Sequence, residues 1–191
     1  MSTGTVAIPA WTAQGVLPAI DVESPTSSSR SPYRVSLLDF VVRFGSTDAR
    51  RTLLRGLLEY RAALHALDLV GGFQWLDGSF LEDVETVERR QPRDIDLVTF
   101  FRLPEGRSQT SLEETSAELF DPEAVGRRYG VHAFFVQLSE VEPELLVDHC
   151  TYWNSLWSHR RNGQWKGYLQ VDLAPAGDRE AMTNLDLMSN E

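Results

Sequence analysis

Cysteine is nearly absent from this sequence, and so is any long apolar run. Cys150 is the single cysteine, so no internal disulfide forms, and no cysteine–histidine cluster has the spacing of a zinc site. The first 20 residues contain neither the basic start nor the apolar stretch of a signal peptide. No segment is apolar over the roughly 18 residues that a membrane helix requires. These absences favour a cytoplasmic protein with no membrane partner.

An excess of positive charge is also missing, because the formal net charge of the 191 residues is −10. A diffuse negative charge repels phosphate backbones, so the composition disfavours general DNA binding, although a local basic patch can hold one RNA end or a nucleotide. Hydrophobic residues make up 42% of the chain, which is enough for a core. The composition therefore predicts a folded domain rather than a disordered chain.

The pattern along the chain predicts a single domain over residues 1–173. Residues 1–35 are expected to form an extended N-terminal arm and a flexible loop, and residues 174–191 a loosely held polar tail. The predicted helices cover 36–44 (a short helix or turn), 47–67, 121–129 and 142–159, and the predicted strands cover 73–76, 94–101, 131–138 and 167–173. This order indicates an α/β (more specifically α+β) domain, in which helices flank a mixed β-sheet.

Two aspartates, Asp94 and Asp96, alternate with apolar residues at the start of one predicted strand. Residues i and i+2 of a strand point to the same face, about 6.6 Å apart, so the two carboxylates repel each other. A hard divalent cation such as Mg²⁺ relieves this repulsion and keeps coordination positions free for substrate phosphates. The alternative is a solvated strand edge, which an isolated Asp-x-Asp usually is.

Gly78-Ser79 directly follows the strand predicted over 73–76. Glycine lets the backbone approach a phosphate closely, and the serine hydroxyl and nearby amide hydrogens can then bind that phosphate. An isolated Gly-Ser is usually only a turn. The two motifs in this order, each beside a strand, are more specific, and we expect Gly78 and Ser79 to bind nucleotide.

The order strand, Gly-Ser, spacer and Asp-x-Asp on a second strand resembles the signature of the DNA polymerase beta-like nucleotidyltransferase superfamily. The spacer between Ser79 and Asp94 has fourteen residues, somewhat longer than is usual in that superfamily. Longer stretches resemble a bacterial family of small, functionally unassigned proteins with that fold, namely 15–18, 72–80, 92–101 and 158–167.

This resemblance implies a nucleotidyltransferase-like fold in which Asp94 and Asp96 bind Mg²⁺ and Gly78 and Ser79 hold the phosphates of a nucleoside triphosphate. The superfamily usually has a third carboxylate on a following strand, and its best counterpart here is His132. Weaker candidates for that carboxylate are Asp77 and Asp148. Histidine can act as a general base near neutral pH, but its presence can equally mark a domain that binds nucleotide without transferring it.

Aromatic and basic residues are concentrated between Trp153 and Lys166. Arg160 and Lys166 are candidates for binding a triphosphate or an acceptor phosphate. For Arg160 the alternative is an ordinary charge at a helix C-terminus. For Lys166, phosphate binding and a purely structural role are equally compatible with the sequence. Tryptophans 153 and 157 are four residues apart on a helix and are expected in the core. The spacer arginines at 89, 90 and 93 are expected to be solvated, and the alternative is that they contact a phosphate.

Three functions are compatible with these residues. The first is a Mg²⁺-dependent nucleotidyltransferase that transfers a nucleoside monophosphate to a protein or RNA acceptor. The resemblance associates such small domains with bacterial toxin–antitoxin or antiphage defence modules. The second is a degenerate domain that senses nucleotide or binds a partner protein without catalysis, and the third is a structural subunit without a ligand.

Overall fold

Mostly apolar, buried runs form the two central strands of the site, and apolar residues at helical spacing form most of the helices. The computed structural model describes residues 4–189. The strands are β1 (Tyr33–Arg34), β2 (Gly72–Asp77), β3 (Ile95–Phe101), β4 (Val131–Gln137) and β5 (Leu169–Asp172). The α-helices are α1 (Leu37–Phe44), α2 (Asp48–His65), α3 (Val84–Val87), α4 (Gln109–Phe120), α5 (Pro122–Tyr129), α6 (Pro143–Trp157) and α7 (Asp178–Met188).

The five strands form one mixed sheet in the order β1-β5-β2-β3-β4. Strand β2 is antiparallel to both of its neighbours, whereas β1 pairs with β5 and β3 pairs with β4 in parallel. Helix α2 lies on the face that carries Gln74, which accepts a hydrogen bond from Arg61. Helix α6 covers the other face, where the Trp153 ring lies 4.9 Å from Phe134. The structure thus confirms the predicted α+β class.

Side-chain caps set the starts of the two helices whose N-termini the sequence marks. The Thr47 hydroxyl accepts a hydrogen bond from the Arg50 amide at 3.3 Å, and α2 begins at the next residue, Asp48. The Asp121 carboxylate accepts hydrogen bonds from two amides of α5, and Pro122 occupies the first helical position. These caps lie where the sequence predicts them, because a capping side chain acts only on the turn that follows it.

The N-terminal arm lies against the domain and is hydrogen-bonded to it at several points. The Trp11 indole donates to the Leu81 carbonyl at 2.7 Å, and the Leu17 carbonyl accepts from the Gly167 amide at 2.7 Å. The Gly15 carbonyl accepts from the Asp83 amide at 2.9 Å. The arm therefore joins the segment after β2 to the start of β5. Residues 1–3 of the predicted arm lie outside the described residues.

The loosely held tail predicted over 174–191 is wrong for most of that segment. Residues 178–188 form helix α7, which packs on α1 and α2 and buries Ala181 and Leu185. Its first residue, Asp178, is ion-paired with the buried Arg61 at 2.7 Å. Only one narrow apolar stripe of this helix faces the core. Most of its residues are polar, and the sequence therefore predicts a tail there. Residues 190–191 lie outside the described part of the chain.

Helix α4 lies in a segment for which the sequence predicts no element. Leu112 is its only buried residue, and its backbone departs from helical geometry at Ser116. A helix with so little apolar periodicity gives a weak sequence signal. Among the helices of residues 4–189, none is both long enough and apolar enough to cross a membrane.

Candidate functional site

Three polar side chains form a row across the sheet. Asp77 at the end of β2 is directly opposite Asp96 on β3, and Asp96 is directly opposite His132 on β4. Directly opposite residues share a face of the sheet, so these side chains are neighbours. The His132 Nδ1 lies 3.1 Å from the Asp96 Oδ1. The strand register thus places the expected counterpart of the third carboxylate, His132, beside Asp96.

Asp94 comes immediately before β3, and both it and Asp96 are half-buried. The pKa of Asp96 is raised, first because burial disfavours its charged form and second because Asp94 is a like charge nearby. His132 and Lys166 act in the opposite direction. Asp94 is thus close enough to Asp96 to repel it, as the sequence predicts. His132 and Lys166 offset only part of the rise in the pKa of Asp96.

Gly78 has a second role besides the expected approach to phosphate. Its φ of +85° lies in the region that favours glycine, and a Cβ at this position would overlap the Asp96 Oδ2. The carboxylate of Asp96 therefore occupies the space next to the glycine. A side chain at position 78 would displace the central residue of the row.

Ser79 begins a short 3₁₀ turn, Ser79–Leu81, directly after Gly78. Its hydroxyl lies 3.5 Å from the Arg90 Nη1, and Arg90 is also paired with Glu88 at 2.6 Å. The guanidinium of Arg90 is partly exposed, so it can move onto a bound anion. Arg90 is 39% exposed, in line with the expected solvated spacer arginine, but no periodicity in the sequence indicates its contact with Ser79.

A buried arginine on α2 holds the spacer in place. Arg50 donates to the carbonyls of Phe80 and Glu82 at 2.6 Å each, and it pairs with Glu85 at 2.6 Å. Burial would raise the pKa of Glu85, but these bonds to Arg50 outweigh burial and lower it. Sequence reasoning missed this residue, although Arg50 occupies the apolar face of α2, four residues before Leu54, and that position was a usable signal.

A second group of charges is buried beside Asp77. The Lys166 Nζ lies 2.9 Å from the Asp77 Oδ1 and 3.2 Å from the Glu82 Oε1. Arg160 donates from its Nε to the other Glu82 oxygen at 2.9 Å. Lys166 is the only lysine in the chain. Both basic residues that the sequence nominates for phosphate are therefore bonded to carboxylates of the protein itself.

Burial dominates the electrostatics of this group. It raises the pKa of Asp77 to about 7, although Lys166 acts against the rise. Burial lowers the pKa of Lys166, but the carboxylates of Asp77 and Glu82 outweigh it and the net shift is upward. The ammonium of Lys166 thus remains charged between its two carboxylate partners.

The site has two halves of opposite character. We call Asp77, Glu82, Arg160 and Lys166 the closed half, and Ser79, Asp94, Asp96 and His132 the open half. In the closed half each charge has a partner within the protein. Of the two weaker candidates for a third carboxylate, Asp77 belongs to the row, whereas Asp148 is exposed on α6. Tryptophans 153 and 157 are buried, as expected for core residues.

A cavity of about 320 Å³ adjoins the open half. It is lined by Arg93, Asp94, Pro122, Gly126, Gly130, Val131 and His132. Small-molecule sites have volumes from about 300 Å³ upward, so this cavity has room for part of a ligand. Arg93, Asp94 and His132 therefore line the same cavity.

The open half suits Mg²⁺ held jointly with a ligand. Within residues 4–189, no group of three or more His, Cys, Asp or Glu side chains is arranged to hold a metal by itself. Mg²⁺ in nucleotide sites is commonly bound by one or two carboxylates, with waters and substrate phosphates completing its shell. The half-buried, mutually repelling pair Asp94 and Asp96 fits that pattern.

Comparison with known proteins identifies the family but no better-characterised relative. No curated protein and no solved structure matches the chain. The model of a family of unknown function, DUF6932, matches residues 9–172. That range contains the whole sheet and both halves of the site. The chain therefore belongs to the DUF6932 family.

Proposed function

We propose that this protein is a Mg²⁺-dependent nucleotidyltransferase, which moves a nucleoside monophosphate from a nucleoside triphosphate to a hydroxyl group of a protein or RNA acceptor. The observation that carries the proposal is the cross-strand pairing of Asp96 with His132, with Asp94 two residues away. Asp94 and His132 both line one cavity, and Asp96 lies beside them, 3.1 Å from the His132 Nδ1. The absence of a side chain at Gly78 leaves the space that the Asp96 carboxylate occupies.

Asp94 and Asp96 are the residues that would hold the metal. When bound there, Mg²⁺ would neutralise phosphate charge and polarise the phosphoryl oxygens. Ser79 would donate a hydrogen bond to a phosphate oxygen from its hydroxyl. Arg90 already lies 3.5 Å from that hydroxyl and would add a positive charge to the same phosphate.

His132 is the residue that would accept a proton. With a proton on Nδ1, the ring donates to the Asp96 Oδ1, and this leaves Nε2 unprotonated. The acceptor hydroxyl would attack the α-phosphorus and form a new O–P bond, while the bond to pyrophosphate breaks. The hydroxyl proton would pass to the His132 Nε2. Because the His132 side chain is half exposed and lines the cavity, an acceptor can reach it.

A second function, nucleotide or partner binding without transfer, is favoured by the closed half. Lys166 and Arg160 are bonded to Asp77 and Glu82, so neither is available to a triphosphate in this arrangement. A domain of this kind would retain Mg²⁺-dependent nucleotide binding at the open half and would lack turnover.

Calorimetric titration of ATP, GTP, CTP and UTP tests the nucleotide site. Wild type is expected to bind at least one triphosphate with Mg²⁺ and to lose that binding with a chelator. Asp96→Asn is expected to lose it as well, because the variant lacks one metal-binding charge. Asp148→Asn, at an exposed position on α6, is the matched control and should bind like wild type. No binding of any triphosphate by folded wild type would contradict the proposal.

Transfer of α-labelled nucleotide to protein and RNA fractions separates the two functions. If His132 is the base, His132→Gln should bind nucleotide normally and transfer it about 10²–10⁴-fold more slowly. Binding without label in either fraction would instead support the non-catalytic domain.

A further inference from the structure

The negative charge of the chain is concentrated in one part of it. Residues 108–159 contain nine of the 28 acidic residues and only two of the 18 lysines and arginines. Those two arginines are the last-turn residues of α5, at 127 and 128. Most of the net charge of −10 therefore belongs to the segment that forms α4, α5, β4 and α6, and the rest of the protein is close to neutral.

Helix α6 carries two neighbouring apolar stripes, of which only one is covered. Trp153 and Trp157 bury the first stripe against the sheet. Leu145, Tyr152 and Leu156 form the second, which we call the α6 stripe, and they are 48%, 58% and 47% exposed. The spacings of seven and four residues place these three side chains on one side of the helix. The α6 stripe extends over three turns, about 16 Å.

A cavity of about 310 Å³ continues the α6 stripe toward the end of the sheet. It is lined by Phe101, Gln109, Phe135, Val136, Gln137, Val141, Leu145 and His149. It therefore lies between the first turn of α4 and the first turns of α6. Strand β4, which contributes three of these residues, is one of the two edge strands of the sheet.

Acidic side chains border this apolar surface. Glu142 and Glu144 are exposed at the start of α6, and Asp148 is exposed one turn later. On the other wall, Gln109 donates to the Glu113 carboxylate at 2.8 Å. Residues 129–159 contain no lysine or arginine that would neutralise these charges. An uncovered apolar stripe with a rim of one charge sign marks an interaction surface.

We propose that this surface binds a basic amphipathic helix of a partner protein. A helix is the matching occupant because the α6 stripe follows three helical turns, and side chains of a second helix interdigitate with such a row. Apolar residues of the partner would cover Leu145, Tyr152 and Leu156, and its flanking lysines or arginines would face the glutamates. This surface makes no use of the open half, so the proposal is independent of nucleotide binding.

The same charges disfavour the other occupants. A second copy of this chain would bring acidic rims together, and like charges across an interface are repulsive. A nucleic acid would meet the same repulsion from its phosphates.

A labelled peptide of about 18 residues, roughly five helical turns, tests the surface with the full-length protein. The peptide carries leucines at helical spacing flanked by lysine and arginine. There are two control peptides. One has the same composition in scrambled order, and the other has glutamate in place of each basic residue. Fluorescence anisotropy is expected to show binding of the first peptide alone, weakening as salt is added.

Substitutions on the surface locate the binding site. Leu145→Glu and Tyr152→Glu are expected to weaken peptide binding by at least about tenfold. Glu142→Gln combined with Glu144→Gln should weaken it less and reduce its salt dependence. Leu187→Glu on α7 makes the same kind of change at another exposed apolar residue and should have no effect. All of these side chains are exposed, so each variant should keep the wild-type circular dichroism spectrum.

Four results would overturn the proposal. The first is failure of wild type to bind the basic peptide, and the second is equal binding of the scrambled peptide. The third is a wild-type dimer in sedimentation that Leu145→Glu dissociates, because this would assign the surface to a second copy. Unchanged binding to both Leu145→Glu and Tyr152→Glu would likewise exclude this surface.

Discussion

Asp77 and Asp96 are opposite each other on neighbouring strands, yet they belong to halves of the site with different physics. The Asp77 side chain is 5% exposed and lies 2.9 Å from Lys166. The Asp96 side chain is 30% exposed, and its Oδ1 lies 3.1 Å from the imidazole ring of His132. In the closed half a permanent cation of the protein balances the carboxylates. In the open half the negative charge of the carboxylates is not fully balanced by the protein. A bound cation would therefore stabilise this half most.

The closed half stabilises the fold, whereas the open half is the candidate ligand-binding part. The closed half links β2, the segment after it and the start of β5, because Lys166 and Arg160 both reach Glu82. Arg50 holds the same segment from α2 through the Glu82 carbonyl. Charge removal in the closed half is therefore expected to act on stability, and charge removal in the open half on ligand binding.

Lys166→Met is expected to have the largest effect on stability. It leaves Asp77 and Glu82 buried without their cation, and breaking a buried ion pair in this way costs about 3–5 kcal/mol. Urea denaturation measures the change. Adding Asp77→Asn to the variant should restore part of the stability, because Glu82 then still has Arg160 as its cation. Wild-type stability of Lys166→Met alone would show that the closed half is not a support.

Gly78→Ala is expected to cause the next largest loss of stability. Gly78 lies between Asp77 of the closed half and Ser79 of the open half. Gly106 also has positive φ, but a Cβ there meets nothing within 4 Å. Gly106→Ala should therefore lose only the backbone term, roughly 1–2 kcal/mol. Gly78→Ala should lose about 1–3 kcal/mol more, because its Cβ displaces the Asp96 carboxylate. Equal losses in urea denaturation would mean that Asp96 moves away without penalty.

The pH dependence of stability provides a third test. The pKa of Asp77 is about 7 in the fold and has an ordinary value of 3.8, so between these values the folded state holds the extra proton. The stability contributed by that proton is lost as pH rises from about 4 to about 7. Over that range wild type should lose stability relative to Asp77→Asn, with no further difference above it. Parallel stability curves of the two proteins would refute the raised pKa.

Asp96→Asn should have the smallest effect on stability. The substitution removes the repulsion from Asp94, and an asparagine oxygen can still accept from the His132 Nδ1. Because Asp96 is partly solvated, we expect a change within about 1 kcal/mol, toward greater stability. A large loss in urea denaturation would place Asp96 with the closed half as a structural residue.

Local signals in the sequence predicted the features that depend only on residues nearby in the chain, such as helix starts. Thr47 and Asp121 mark helix starts because a cap acts on its own helical turn. Gly78-Ser79 and Asp96 were predicted as candidate site residues because they lie at the ends of segments with a clear apolar pattern. The α+β class also follows from the order of such segments.

Long-range pairing explains what the sequence could not reveal. Lys166 lies 84 residues from Glu82 along the chain, and nothing in its own neighbourhood indicates a carboxylate partner. Helix α7 was missed because it buries only Ala181 and Leu185 and packs on α1 and α2, which lie more than a hundred residues away along the chain.

The sequence by itself determined the helices and strands that carry their own caps and periodicity, the mixed sheet they imply, and the residues of the open half. Only the tertiary structure decided which charges are neutralised. Strand register placed Asp77, Asp96 and His132 in one row, and the return of the chain at β5 brought Lys166 to Asp77. The physical reason is that the electrostatic state of a carboxylate depends on burial and on counter-charges within a few ångströms, which distant segments supply.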